Sequence, residues 1–323
     1  MSHRAIKSMF TLFAVFILLA CFHHQVVACV GARALSLGGA FTGIADDTEA
    51  TYWNPAGLAK ASSGMYTMHN VNHRREFNYD DYVGISFTRG GWGVGAQYIG
   101  KSTSRQAWVL TSGHGVQLGE IDDESTWLQV GASRAWSFIF IGASLRYVKE
   151  TQEITVDSIA PPSYTRSEDS AWGCDIGLLS EFGPKRNRGR SRMFSAGVLV
   201  QDLNKPELLG QEYIVNVRPG MGFRPSDGFL LSIEIYDAAC QYFDQPQVRI
   251  GAEWIVSPPA SIGEFAFRGG VYHMNEPGYR AVTGGVGYIR PFSGNLSLGM
   301  DYAFMSWEEA NKVTHLLSLV CRF

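Results

Sequence analysis

Residues 295–304 read NLSLGMDYAF, and their alternation decides the fold. Leu296, Leu298, Met300, Tyr302 and Phe304 share one face, while Ser297, Gly299, Asp301 and Ala303 share the other, the period of two that a strand imposes on its side chains. The pattern recurs upstream. Val248, Ile250, Ala252, Trp254 and Val256 oppose Arg249, Gly251, Glu253 and Ile255, and Phe229, Leu231, Ile233 and Ile235 oppose Ser232 and Glu234. These are strands with one continuous apolar side.

Marking every such run predicts fourteen strands, at 65–73, 81–89, 92–101, 125–136, 138–150, 170–183, 192–201, 213–224, 228–238, 246–256, 264–273, 280–290, 294–304 and 314–323. An even number of strands of about ten residues suits an all-β, 14-stranded antiparallel transmembrane β-barrel, because closure removes the edge whose backbone groups lipid could not satisfy. The connections agree with this. After even-numbered strands they are short and turn-like, as at Gly90-Gly91, at Ser137, at 225–228 and at 291–294, with two somewhat longer ones at 184–191 and 257–263, whereas after odd-numbered strands they are longer on average, with long loops expected at 102–124 and 151–169. Short turns on one rim and longer loops on the other imply both termini in the periplasm.

Composition supports the same class. The chain has 36 glycines, 13% aromatic residues and a mean hydropathy close to zero. A barrel produces that combination, since apolar residues facing lipid alternate with small or polar ones facing inward and cancel in the average. With 27 Lys and Arg against 30 Asp and Glu, bulk charge gives no reason to expect a nucleic-acid partner. Arg4 and Lys7 precede the apolar run 9–20, and Val26-Val27-Ala28 offers small residues for cleavage, so residues 1–28 read as an export signal. The run is too short to span a bilayer as a helix, which takes about 20 apolar residues. Leu18 to Cys21 and Val26 to Cys29 also have the form of lipoprotein cleavage boxes, which leaves acylation of Cys21 or Cys29 open. Cys174, Cys240 and Cys321 lie far apart, and no disulfide framework is expected.

The segment 29–63 has no place in the wall of the barrel at 64–323, yet a ring of fourteen strands encloses a lumen too wide for its own side chains to fill. The segment reads as a plug, or hatch. Gly38, Gly39 and Gly43 allow close packing or turns, and Asn54-Pro55 forces a non-helical step. Asp46 and Asp47 lack the spaced acid series of a calcium loop and are expected to pair with inward-facing arginines.

Gly31-Ala32-Arg33-Ala34-Leu35, Gly38-Gly39-Ala40-Phe41, Ala45-Asp46-Asp47, Ala50 and Tyr52-Trp53-Asn54-Pro55-Ala56-Gly57-Leu58 resemble the N-terminal region of FadL-like outer-membrane proteins, especially the PorV/PorQ-type branch with its spirochaetal relatives. That resemblance implies a 14-stranded barrel closed by an N-terminal hatch carrying an Asn-Pro-Ala motif, here Asn54, Pro55 and Ala56 followed by Gly57. It implies passage of long-chain fatty acids or similar hydrophobic molecules across the outer membrane of a diderm bacterium, with the ligand carboxylate held by basic groups. Inward-facing Arg146, Arg218, Arg224 and Arg249 are candidates on alternation alone. Outer-membrane lipid surrounds such a barrel, and the terminal strand ending in Phe323 resembles the signal read by the barrel-assembly machinery. The PorV-like alternative is a scaffold that binds secreted or surface proteins, motivated by short outer loops.

Other motifs carry less. The glycines at 90–95 lack the Lys-Ser/Thr of a phosphate loop. His114, Asp122, Asp123 and Ser125 could form a hydrolytic triad on paper, but they are expected on a long loop, a poor platform for fixed geometry. No enzyme, metal or cofactor is expected.

Overall fold

The computed structural model describes residues 30–70, 81–111, 114–156, 163–186, 191–241, 244–258, 262–275, 280–293, 296–308 and 312–323; the expected signal segment, with Cys21 and Cys29, lies outside them. Its strands are β1 (Gly64–Asn70), β2 (Asp81–Arg89), β3 (Trp92–Thr111), β4 (His114–Trp136), β5 (Ile139–Val156), β6 (Ser163–Arg186), β7 (Ser191–Gln201), β8 (Glu207–Leu208), β9 (Gln211–Glu212), β10 (Asn216–Ser226), β11 (Phe229–Tyr236), β12 (Gln247–Val256), β13 (Glu264–Tyr272), β14 (Ala281–Ser293), β15 (Leu296–Trp307) and β16 (Lys312–Arg322). All but β8 and β9 form one closed antiparallel ring of 14 strands, in which each strand pairs with the next and β16 returns to β1. Gly64 opposes Arg322 at the closing seam, where the Phe323 N–H donates to the Ser63 carbonyl at 3.0 Å.

The alternation sets which side faces out. Along β11, Leu231, Ile233 and Ile235 are exposed, whereas Leu230, Ser232 and Glu234 are buried; β12 repeats this with Ile250 and Trp254 outward and Arg249, Gly251 and Glu253 inward. Outward-facing Leu128, Val130, Ile141, Leu145, Met221, Phe267, Val286 and Met300 extend the apolar surface around the ring. In water so large an exposed apolar surface is a liability, and in a bilayer it is the required one.

One rim carries tight turns. Gly90 and Gly91, both at positive φ, join β2 to β3, and Ser137 at φ 59° helps join β4 to β5. The opposite rim departs from expectation. The stretches 102–124 and 151–169, expected as loops, are mostly extensions of β3, β4, β5 and β6. The β3–β4 ladder continues to Thr111 opposite His114, and β4 and β6 reach 23 and 24 residues, about twice what a bilayer crossing needs. Past the alternating stretches, backbone pairing continues on polar cross-strand contacts such as Arg166 with Glu153 at 2.8 Å and Gln152 with Asp123 at 2.7 Å. Asp122, Asp123 and Ser125 therefore sit on a paired strand.

Segment 30–63 lies against the inner wall. It contains helix α1 (Ala32–Ser36), helix α2 (Ala50–Trp53) and a 3-10 turn at Pro55–Ala59. Most of it is buried. The wall receives it through glycines: a Cβ on Gly93, Gly142, Gly220, Gly251 or Gly270 would come under 3.0 Å from the segment's backbone. This close backbone approach accounts for glycine at strand positions where it otherwise weakens a strand.

Candidate functional site

Asn54 fixes the shape of the luminal segment. Its backbone is extended at φ −169° and ψ 102°, which ends α2 before Pro55 opens the 3-10 turn. The side-chain oxygen accepts the Ala56 N–H at 3.1 Å as an N-cap, while the side-chain nitrogen donates to the carbonyls of Thr42 at 2.9 Å and Leu178 at 3.1 Å. One amide therefore holds the turn, the preceding loop and β6 together. Gly38 and Gly39 take positive φ, the Gly38 N–H donates to Thr283 Oγ1 at 3.0 Å, and Gly57 packs against the Ala45 backbone.

Charged groups anchor the same segment. Arg33 donates to Asp46 at 2.5 Å, to Asp47 at 2.8 Å and to both oxygens of Glu253 at 3.0 Å; Glu253 also takes Arg268, which reaches Asp301. Burial opposes ionisation of Asp46, but Arg33, Lys60 and Arg224 together hold its carboxyl below the usual range. Burial, then neighbouring Asp47, pushes the Glu49 carboxyl well above it. Among the described residues, no group of three or more His, Cys, Asp or Glu is placed to hold a metal ion.

The four candidate arginines all face inward and are buried, but they do not converge. Arg218 and Arg249 both donate to Glu234, at 2.7 Å and 3.3 Å, and Glu234 also accepts the N–H groups of Phe41 and Thr42. Arg224 reaches Asp46 at 3.6 Å. These three thus serve the luminal segment. Arg146 lies apart, with its guanidinium 4.9 Å from the Trp127 ring centre and paired with Asp202. Its Nε and Nη1 make no hydrogen bond among the described residues.

The feature that sequence reading missed lies one layer toward the tall rim. Met68, Tyr82, Ile99, Trp127, Val148 and Ala171 are successive register partners across β1 to β6, all on the inward phase. The first five are buried, and with Met305 and Leu316 they form one apolar cluster against which Ala171 and Tyr52 pack. The alternation rule assigns inward positions to polar groups, so it hides an apolar inward row. The signal was present in the runs QYIG and RYVK, where apolar residues occupy both phases.

Toward the short-turn rim the chemistry reverses. A cavity of about 340 Å³ is lined there by Arg33, Asp46, Lys60, Glu253, Arg268 and Arg322 among others. The lumen is therefore apolar on one side of the segment and charged on the other.

No family model matches the sequence, and no curated protein does. Solved structures do match. The Ralstonia pickettii toluene transporter TbuX superposes with a TM-score of 0.65 at 13% identity, covering 91% of this chain and 98% of that one. The Pseudomonas putida toluene transporter TodX gives 0.60 at 11%, covering 92% and 98%, and a Pseudomonas aeruginosa FadL homologue gives 0.58 at 9%, covering 93% and 99%. At these identities the likeness is one of fold, over nearly the whole length of each chain.

Proposed function

We propose that this chain is an outer-membrane channel that passes hydrophobic small molecules, such as aromatic hydrocarbons or long-chain fatty acids. The observation that carries the reading is the in-register apolar row from Met68 to Ala171. A channel for polar solutes has no use for buried Met, Ile, Trp and Val on its inner face, whereas an apolar cargo needs a surface that does not compel it to meet water. The toluene transporters and FadL homologue with the same fold agree with this choice.

In this reading the tall rim faces outward, both termini are periplasmic, outer-membrane lipid covers the apolar outer wall, and the barrel-assembly machinery reads the last strand at Phe323. The segment 30–63 acts as the hatch, and Asn54, Pro55, Ala56 and Gly57 set its shape. The arginines at 218, 224 and 249 serve the hatch, which leaves Arg146 as the basic group beside the apolar row. The chain is a conduit and catalyses no reaction.

Uptake of radiolabelled toluene and oleate by diderm cells that lack their own hydrophobic channel tests the proposal. Expression of this chain should raise uptake of at least one of them, and Val148→Asp should abolish the gain. Uptake equal to that of vector-only cells would overturn the reading.

A further inference from the structure

Between β7 and β10 the chain does not continue the wall. Residues 202–213 turn inward as a strap, with Asp202, Lys205 and Leu209 at positive φ and a two-residue hairpin in which Leu208 opposes Gln211. Most of the strap is exposed, yet Leu208 is 2% exposed and belongs to the same apolar cluster as the inward row. A surface hairpin has thus placed one leucine inside the lumen.

Polar contacts hold it there. The Asp202 carboxylate pairs with Arg146, in the layer just below the apolar row. The Leu209 N–H donates to Asp169 at 2.8 Å and the Tyr213 hydroxyl to Glu150 at 2.9 Å. Glu150 and Asp169 are register partners in the layer just above the row. Two acids opposite one another on a sheet repel, and the strap supplies each with a donor. The strap therefore spans the row from both sides, held by one buried ion pair below it and two hydrogen bonds above it.

We propose that this strap is a displaceable lid, and that Leu208 occupies the subsite that receives the apolar end of the cargo. Cargo and Leu208 compete for one compact apolar space, so entry requires the strap to lift. The inference rests on the hydrophobic-channel reading and adds the residue that guards its entry.

The test uses the neutral lipophilic fluorophore N-phenyl-1-naphthylamine, titrated against the full barrel in lipid nanodiscs with empty nanodiscs subtracted. Leu208→Ala should bind it roughly tenfold tighter than wild type, the order expected when a buried leucine need no longer be displaced. Leu208→Trp should bind it more weakly. Saturating wild type with the fluorophore should also speed hydrogen exchange at the Leu203 and Leu209 amides, which are bonded to Cys174 and Asp169 in the closed strap. Heat-dependent migration on a gel confirms that each variant is folded. Wild-type binding left unchanged or weakened by Leu208→Ala, or exchange that stays slow at saturation, overturns the lid while leaving the channel reading intact. No binding by any folded variant overturns both.

Discussion

Asn54 and Gly177 are fitted to one another across the inner wall: a Cβ on Gly177 would collide with the Asn54 side-chain oxygen that caps the 3-10 turn. The pair links a wall position in β6 to the residue on which the shape of the luminal segment depends. Gly142 stands in the same relation to the backbone of Pro55 and Ala56.

Gly177→Ala and Gly142→Ala should therefore each destabilise the folded barrel by about 1–3 kcal/mol, the usual cost of forcing atoms into a packed interior. Gly269→Ala is the matched control, since its nearest neighbour would be the Thr283 carbonyl oxygen at 3.9 Å, and it should change stability by less than about 0.5 kcal/mol. Urea unfolding followed by tryptophan fluorescence measures all three. Equal stability for the three variants would remove the close fit as an explanation of the wall glycines.

At position 54 the amide's two roles separate. Asn54→Asp keeps the acceptor for the Ala56 N–H but loses the donor to Thr42 and Leu178, and it places a carboxylate against two carbonyl oxygens. Asn54→Ala loses both roles without adding charge, at a cost of about 2–3 kcal/mol. The aspartate should be the more damaging of the two at neutral pH. The same unfolding series decides this, and an aspartate variant as stable as wild type would show that the cap alone matters.

Glu49 gives a pH-dependent prediction. It is buried beside Tyr66, with Asp47 and Asp301 adding negative charge and Arg33 opposing them, so its folded form favours the proton. A carboxyl raised on folding contributes its full stability below the ordinary carboxylate range, and that contribution is lost as pH rises toward the folded value. Glu49→Gln should thus match wild type at about pH 4 and be the more stable by about pH 8. Thermal midpoints of the two proteins across that range provide the check, and a constant difference between them would contradict it.

How much was legible in the sequence follows from where lipid acts. Alternation in β11, β12 and β15 was plain because one face of each strand must be apolar and the other must not. The distal halves of β3 to β6 were not, because their sequences carry no sustained apolar-polar period while the hydrogen-bonded ladder continues. Inward arginines were visible from phase alone. Their partners were not, since Arg218 and Arg249 meet on Glu234 through register, and Arg146 meets Asp202 only because the strap folds inward. Ile99 and Val148 were hidden for a similar reason: a rule that assigns inward positions to polar groups overlooks a lumen with an apolar layer.

The most direct test of the account is native mass spectrometry of the barrel released from its own membrane in mild detergent, comparing wild type with a Val148→Asp variant that places a charge in the apolar row. The account predicts a bound hydrophobic small molecule on wild type that is lost from the folded variant. A wild-type barrel that is empty, or a ligand retained equally when the row carries a carboxylate, would contradict it.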